Sequence, residues 1–188
     1  MRLFLAINIA PDVRRAVVEA SAPLRAIAPR LGWVREPQLH LTLKFLGDHS
    51  DVVANQVAEA MTRVAQRNRA VEVELGGIGA FPNFRRPRVV WMGVTPEPKL
   101  ELLHHDVECA AAELGFSLDG RPFRPHLTLA RVKPRTADAI TLRALAKGAK
   151  DVEYGAEIVV SSIDLMHSEL SPAGARYRLL ASAQLPFA

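Results

Sequence analysis

The tetrapeptide His-Leu-Thr-Leu occurs twice in this 188-residue chain, at His40 to Leu43 within HLTLKFLG and at His126 to Leu129 within HLTLAR. With six His and six Thr in the chain, His-x-Thr is expected by chance only about 0.2 times, before two identical leucines are required as well. Apolar and polar residues alternate in each copy. Gly47 follows the first and Pro125 precedes the second, so each is predicted as a strand. Side chains two apart on a strand share a face and stand about 6 to 7 Å apart along it. His40 and Thr42 are therefore expected on one face with Leu41, Leu43 and Phe45 on the other, and His126 and Thr128 likewise over Leu127 and Leu129. An imidazole beside a hydroxyl, backed by leucines in a core, is half of a site. Two such halves point to a whole one.

The rest of the chain supplies a scaffold for these strands. Residues 2 to 9 read as a buried strand, and Pro11 opens a helix whose stripe is Val13, Val17, Ala20, Leu24 and Ile27, kinked or shortened by Pro23. Gly32 to Arg35 is a short extended piece before the first motif. Ser50 is placed to cap a second helix carrying Val53, Val57, Met61 and Val64. A strand over 71–75 is expected to break at Gly76, Gly77 and Gly79, with a turn at Phe81-Pro82-Asn83 and another strand over 88–94. A helix follows over 97–115, with Cys109 opposite its buried stripe and His104 at the border. The second motif comes next, then a helix over 136–147. Strands at Glu157 to His167 and Ala175 to Leu185 form a hairpin through Pro172 and Gly174. This order is that of an α+β protein. Each half holds one motif strand followed by a helix, so the halves form a pseudo-repeat that shares one sheet system around a cleft.

A chain of this length buries a proper core and reads as one domain over 1–188. No apolar run approaches a bilayer span, and MRLFLAINIAPDV reads as a first strand without a signal-peptide cleavage site, so a cytoplasmic location is expected. The single cysteine excludes an internal disulfide. A net charge of +4, with arginines bunched at 85, 86 and 88 and again at 121, 124, 131 and 135, favours anionic partners. Composition alone does not separate nucleic acid from other anions.

Two imidazoles facing each other suit phosphodiester cleavage, one taking a proton from the attacking oxygen and the other giving one to the leaving oxygen. The threonine hydroxyls can donate to the phosphate oxygens as charge grows on them. Two histidines with no Asp, Glu or Cys at ligand spacing fall short of a zinc set, so no metal and no cofactor is expected. His49, His104, His105 and His167 read as surface residues, and Trp33 and Trp91 as core on predicted strands.

RLFLAI at the start, HLTLKFLG, RVVWMGV, RPFRPHLTLAR and the closing GARYRLL occur in the order seen in the bacterial and archaeal RNA 2′,3′-cyclic phosphodiesterases, or 2′-5′ RNA ligases, of the two-histidine phosphoesterase superfamily. Nearly the whole chain resembles that family. The resemblance implies a bilobal fold: two pseudo-symmetric lobes of antiparallel-type sheet, helices packed outside, and a central cleft. It implies metal-independent hydrolysis of RNA 2′,3′-cyclic phosphate ends to 2′-phosphomonoesters, with reversible 2′-5′ ligation in some members. By the same likeness His40 is the proton donor and His126 the acceptor, an assignment the residues themselves leave open. Thr42 and Thr128 match the motif threonines. Arg131, five residues past His126, matches an arginine that meets phosphate or nucleotide. Plain alternation would put it opposite His126, so a bulge or a strand end is required. Phe123, in RPFRPH, and Phe4, on the Ala6 and Asn8 face of the first strand, are candidates to stack on a base. The expected partner is RNA with 2′,3′-cyclic phosphate ends, or cyclic nucleotides, met by a monomer away from membranes. The competing readings are a phosphodiesterase of small cyclic nucleotides and a non-catalytic RNA-end binder.

Overall fold

The structure, a computed structural model, describes residues 1–171 and 174–187. Its strands are β1 (Arg2–Asn8), β2 (Gly32–Trp33), β3 (His40–Asp48), β4 (Val71–Phe81), β5 (Val89–Val94), β6 (His126–Arg131), β7 (Gly155–Val160), β8 (Ser162–Ser171) and β9 (Gly174–Gln184). Its helices are α1 (Pro11–Ala20), α2 (Ala22–Ile27), α3 (Asp51–Arg67), α4 (Pro98–Glu113) and α5 (Ala139–Lys150). Both proline signals act as expected. Pro11 starts α1, and Pro23 falls in the first turn of α2, so one periodic stripe becomes two short helices with Ser21 between them. Ser50 Oγ caps α3 by accepting from the Val53 N–H, and Asp138 Oδ1 caps α5 through Thr141, which is why that last helix begins three residues later than its apolar pattern.

The sheet runs β7-β4-β5-β6-β3-β1-β8-β9, with β2 added to β6, and every described pairing is antiparallel. The two motif strands are neighbours at its centre, with four strands of that order in each lobe. They touch through one residue pair, Leu41 with Leu127. Each lobe continues outward from its motif strand through a strand earlier in the chain, β1 beside β3 and β5 beside β6. The lobes then exchange chain. β4, which follows α3, pairs with β5 of the other half, and β8, which follows α5, pairs back with β1.

Motif leucines Leu41, Leu43, Leu127 and Leu129 enter one core with Leu3, Leu5 and Ile7 of β1, Val57 and Met61 of α3, and Leu100, Leu103 and Val107 of α4. Burying each such side chain is worth about 1.5–3 kcal/mol, enough to lock the register of a strand whose other face carries polar groups.

Two sequence expectations fail here for local reasons. Gly76, Gly77 and Gly79 do not break β4, which runs on to Phe81. Instead Gly77, at φ +68, forms a bulge between the Gly76 and Ile78 pairings. The single strand expected from Glu157 to His167 is two, divided at Ser161: β7 at one edge of the sheet and β8 in the other lobe, between β1 and β9. The hairpin of β8 with β9 forms through Ser171 and Gly174, and Pro172 lies outside the described residues.

Candidate active site

The same irregularity follows the threonine in both motif strands. Regular β1 pairs Asn8, Ala6, Leu5 and Phe4 with His40, Thr42, Lys44 and Phe45, passing over Leu43. Regular β5 pairs Gly93, Trp91, Val90 and Val89 with His126, Thr128, Ala130 and Arg131, passing over Leu129. Two successive residues thus turn inward, Leu43 with Lys44 and Leu129 with Ala130, all four buried. The next residue is returned to the histidine face. Arg131 therefore joins His126 and Thr128, and of the two expected routes it is the bulge that brings it there. Phe45 is a correction: alternation put it beneath the sheet, but the bulge brings it beside His40 and Thr42, 68% exposed.

Each imidazole is held in the same way. Nδ1 of His40 donates to the Gln38 carbonyl at 2.7 Å, and Nδ1 of His126 donates to the Arg124 carbonyl at 2.6 Å. A carbonyl only accepts, so Nδ1 carries the hydrogen and Nε2 is left for chemistry in both rings. His40 Nε2 lies 3.1 Å from Thr42 Oγ1, whose hydroxyl donates to it while the ring is neutral. Burial lowers both histidine pKa values. The carbonyl bonds oppose that shift, while Arg131 lowers both further and the charge of His126 lowers His40. One guanidinium thus acts on both rings, and both are biased towards neutrality in the open cleft.

Aromatic rings flank each histidine. Phe81 meets His126 edge-on at 5.0 Å with Trp91 at 6.3 Å, and Phe4 and Tyr177 sit 5.0 and 5.3 Å from His40. The indole of Trp91 lies over Gly79, where a Cβ would fall 2.2 Å from it. Phe4 is 3% exposed and closed in by His40, Phe45 and Tyr177, so no face is free for a base. That corrects the expectation that it stacks on substrate: it supports the His40 ring. Tyr177 escapes sequence reading because the rings it meets, Phe4 and His40, lie far away in the chain.

A cleft of about 1000 Å³ opens beside the motifs, with Thr42, Phe45, Arg88, His104, Phe123 and His126 among its walls. Phe123 lies there as expected, but its ring is stacked on His104 at 3.9 Å and 8°. His104 is accordingly no solvated surface residue. Its Nε2 is 3.9 Å from Glu108 Oε1, and the bulged Leu43 carbonyl acts on it as an acceptor. Behind it, buried Lys44 places Nζ 2.8 Å from both Glu108 oxygens and from the Ser117 carbonyl, and Glu108 Oε2 accepts from the Asp119 N–H at 2.9 Å. Arg88, Arg121 and Arg124 line the cleft, whereas Arg85 and Arg86 are exposed in a turn organised by Asn83 Oδ1. His49 is tied to the Leu46 carbonyl and His167 lies beside Glu169, both away from the cleft walls, and Cys109 is exposed. Among the described residues no three His, Cys, Asp or Glu side chains converge as a metal site would require, and no helix is long and apolar enough to cross a membrane.

This curled antiparallel sheet, with a histidine–threonine strand on each side of its centre and helices outside, has the architecture of the bilobal phosphoesterases. The chain belongs to the 2′-5′ RNA ligase superfamily, whose pattern matches residues 11–171. An RNA 2′,3′-cyclic phosphodiesterase of Aeropyrum pernix is 36% identical over 172 residues, 89% of this chain and 90% of that protein. One from Geobacillus stearothermophilus is 38% identical over 128 residues, 68% of this chain, and this chain spans 41% of its length. A crystal structure from Thermus thermophilus superposes with a TM-score of 0.80 at 31% identity, covering 100% of this chain and 99% of the other.

Proposed function

We propose that this chain hydrolyses RNA 2′,3′-cyclic phosphate ends to 2′-phosphomonoesters by metal-independent acid–base catalysis. The observation that carries the reading is the matched pair of imidazoles, each with Nδ1 tied to the carbonyl two residues back, so that Nε2 is the nitrogen that can give or take a proton. Cleavage of the cyclic ester needs water on one side of phosphorus and the departing O3′ on the other, so acid and base must stand opposite each other. Paired motif strands from two lobes supply that arrangement; one motif alone does not. His126 takes the proton from water and His40 gives one to O3′, roles taken from the family likeness. Thr42 and Thr128 donate to the non-bridging oxygens, and Arg131 meets the phosphate. The phosphate anion offsets Arg131, so substrate binding itself favours protonation of the acid imidazole. A 5′-hydroxyl of a second RNA in the place of water would form a 2′-5′ linkage with the same departing O3′, so ligation is the same displacement with a different nucleophile, and its reverse is cleavage of the 2′-5′ linkage back to the cyclic phosphate. Phe123, in the wall of the cleft, meets a base of the RNA beyond the reacting ribose. A cytoplasmic location goes with an RNA substrate and is supported by the exposed, unpaired Cys109.

The test is turnover of adenosine 2′,3′-cyclic phosphate and a cyclic-phosphate-ended RNA in EDTA, with the product read by phosphorus NMR. Full activity under chelation and a 2′-phosphate are expected, with His40→Ala and His126→Ala each removing most turnover. Activity lost to EDTA and restored by a divalent ion refutes the two-histidine mechanism. A 3′-phosphate leaves that mechanism standing and refutes the orientation of the ribose.

A further inference from the structure

The pseudo-twofold that passes through the Leu41–Leu127 pair carries β3 onto β6, bulge onto bulge, but the space beside the two strands is not equivalent. Past Thr128, the inner edge of β6 is covered: β2 pairs Trp33 with Ala130 and Gly32 with Arg131. Trp33 is fixed there by its indole N–H, which donates to the Ala28 carbonyl at 2.8 Å, and by Arg25 over its ring at 5.0 Å. Past Thr42, the equivalent edge of β3 has no strand beside it among the described residues, since β3 pairs with β1 and, at Leu41, with β6. That edge is the bank of the cleft, and the chain from Ser117 to Arg124 forms the opposite bank. The cleft therefore extends beyond the two histidines on one side only.

The extension is built to hold something flat and anionic. Exposed Phe45 stands on one bank, and Phe123, backed by His104, on the other. Arg88, Arg121 and Arg124 face it against one carboxylate, Asp119, which lies 3.6 Å from Arg121. Lys44 adds no free charge because Glu108 neutralises it. Their pair instead ties Ser117 and Asp119 to the core, so that bank is in place before any ligand arrives. The volume, about 1000 Å³, is at the top of the range of about 300–1000 Å³ for small-molecule sites and exceeds what one nucleotide fills.

We propose that this one-sided extension is a subsite for the nucleotide on the 5′ side of the residue bearing the cyclic phosphate, its base on the Phe45 and Phe123 faces and its phosphodiester among the arginines. This rests on the cyclic-phosphate reading above. It makes the enzyme selective for a chain end over a mononucleotide, and Trp33 closes the symmetry-related exit, so the RNA leaves the site in one direction.

The experiment compares kcat/KM for adenosine 2′,3′-cyclic phosphate and for ApA ending in a 2′,3′-cyclic phosphate. A stacked base with a neutralised phosphate is worth on the order of tenfold or more, so the wild-type dinucleotide-to-mononucleotide ratio should be at least about ten. Arg121→Ala, a change at a fully solvated side chain, and His104→Ala, which removes the backing of Phe123, should each reduce that ratio about fivefold or more. The fall should appear in KM rather than kcat. A wild-type ratio near one, a ratio unchanged in Arg121→Ala, or an equal loss on both substrates overturns the subsite while leaving the hydrolytic reading intact. Turnover of neither substrate by the wild type overturns the hydrolytic reading, and the subsite with it.

Discussion

At the scale of single residues, the decisive atoms are two Nε2 nitrogens made available by two backbone carbonyls. His-x-Thr on a strand announces that the imidazole and hydroxyl share a face, and that much is legible from period-two alternation. The charge state is a tertiary matter. Burial under the aromatic rings, together with Arg131, lowers both histidines below the ordinary value of about 6.5. A base limb and an acid limb that both move down carry the optimum of kcat/KM with them, so for the free enzyme it should lie on the acid side of about 6.5. Arg131→Gln removes a positive charge that disfavours both imidazolium forms. Both limbs should then move to higher pH as the rate falls, and a pH profile of kcat/KM on a cyclic nucleotide checks this. A slower variant with an unmoved profile would mean that Arg131 holds substrate without tuning the histidines.

At the scale of elements, two bulges do most of the work. Each turns a pair of residues inward after the threonine and so delivers Phe45 or Arg131 to the cleft. In β6 the family likeness of Arg131 calls for a departure from alternation, by a bulge or by the end of the strand, and the register shows the bulge. In β3 nothing in HLTLKFLG signals it, because Phe45 reads naturally as core. Lys44 shows the consequence. Alternation would put it beside Thr42, yet it is buried against Glu108 of α4. Removing one partner of a buried pair strands the other charge, so Lys44→Met should cost about 3–5 kcal/mol by denaturant unfolding, whereas Lys44→Met with Glu108→Leu should recover most of that loss. Equal destabilisation by the single and double variants would show that the Lys44 contact to the Ser117 carbonyl, rather than the ion pair, carries the stability. The glycines of β4 misled for a different reason. Gly77 does need its positive φ, but the pairings of β4 with β5 and β7 absorb it as a bulge.

At the scale of the whole molecule, each half lends strands to the other: β2 and β4 to the second lobe and β8 and β9 to the first. Neither lobe can complete its sheet alone, and one core of leucines from both motifs lies beneath them. We propose that 1–188 folds as a single domain, with one cooperative transition. Urea unfolding followed by tryptophan fluorescence, which reports Trp33 and Trp91, and by far-ultraviolet circular dichroism should give coincident curves. Separated midpoints would mean that the lobes unfold independently.

Strand identity, the four motif residues, the α+β order and the pseudo-repeat were all written locally, in alternation, in proline and cap signals and in the repetition of HLTL, and such features survive without knowledge of what packs where. The break at Ser161 was not, because an unbroken β pattern fits one long strand as well as two in opposite lobes of a sheet. Nor were the neighbours of each histidine: Tyr177 reaches His40 from β9, Phe81 reaches His126 from β4, and His104 of α4, with the Lys44–Glu108 pair behind it, stacks on Phe123. Sheet order and bulge position determine those contacts, and both follow from how the whole core closes. The unequal filling of the two strand edges, Trp33 on one and an open cleft on the other, belongs to the same closure, since identical tetrapeptides cannot encode a difference between themselves.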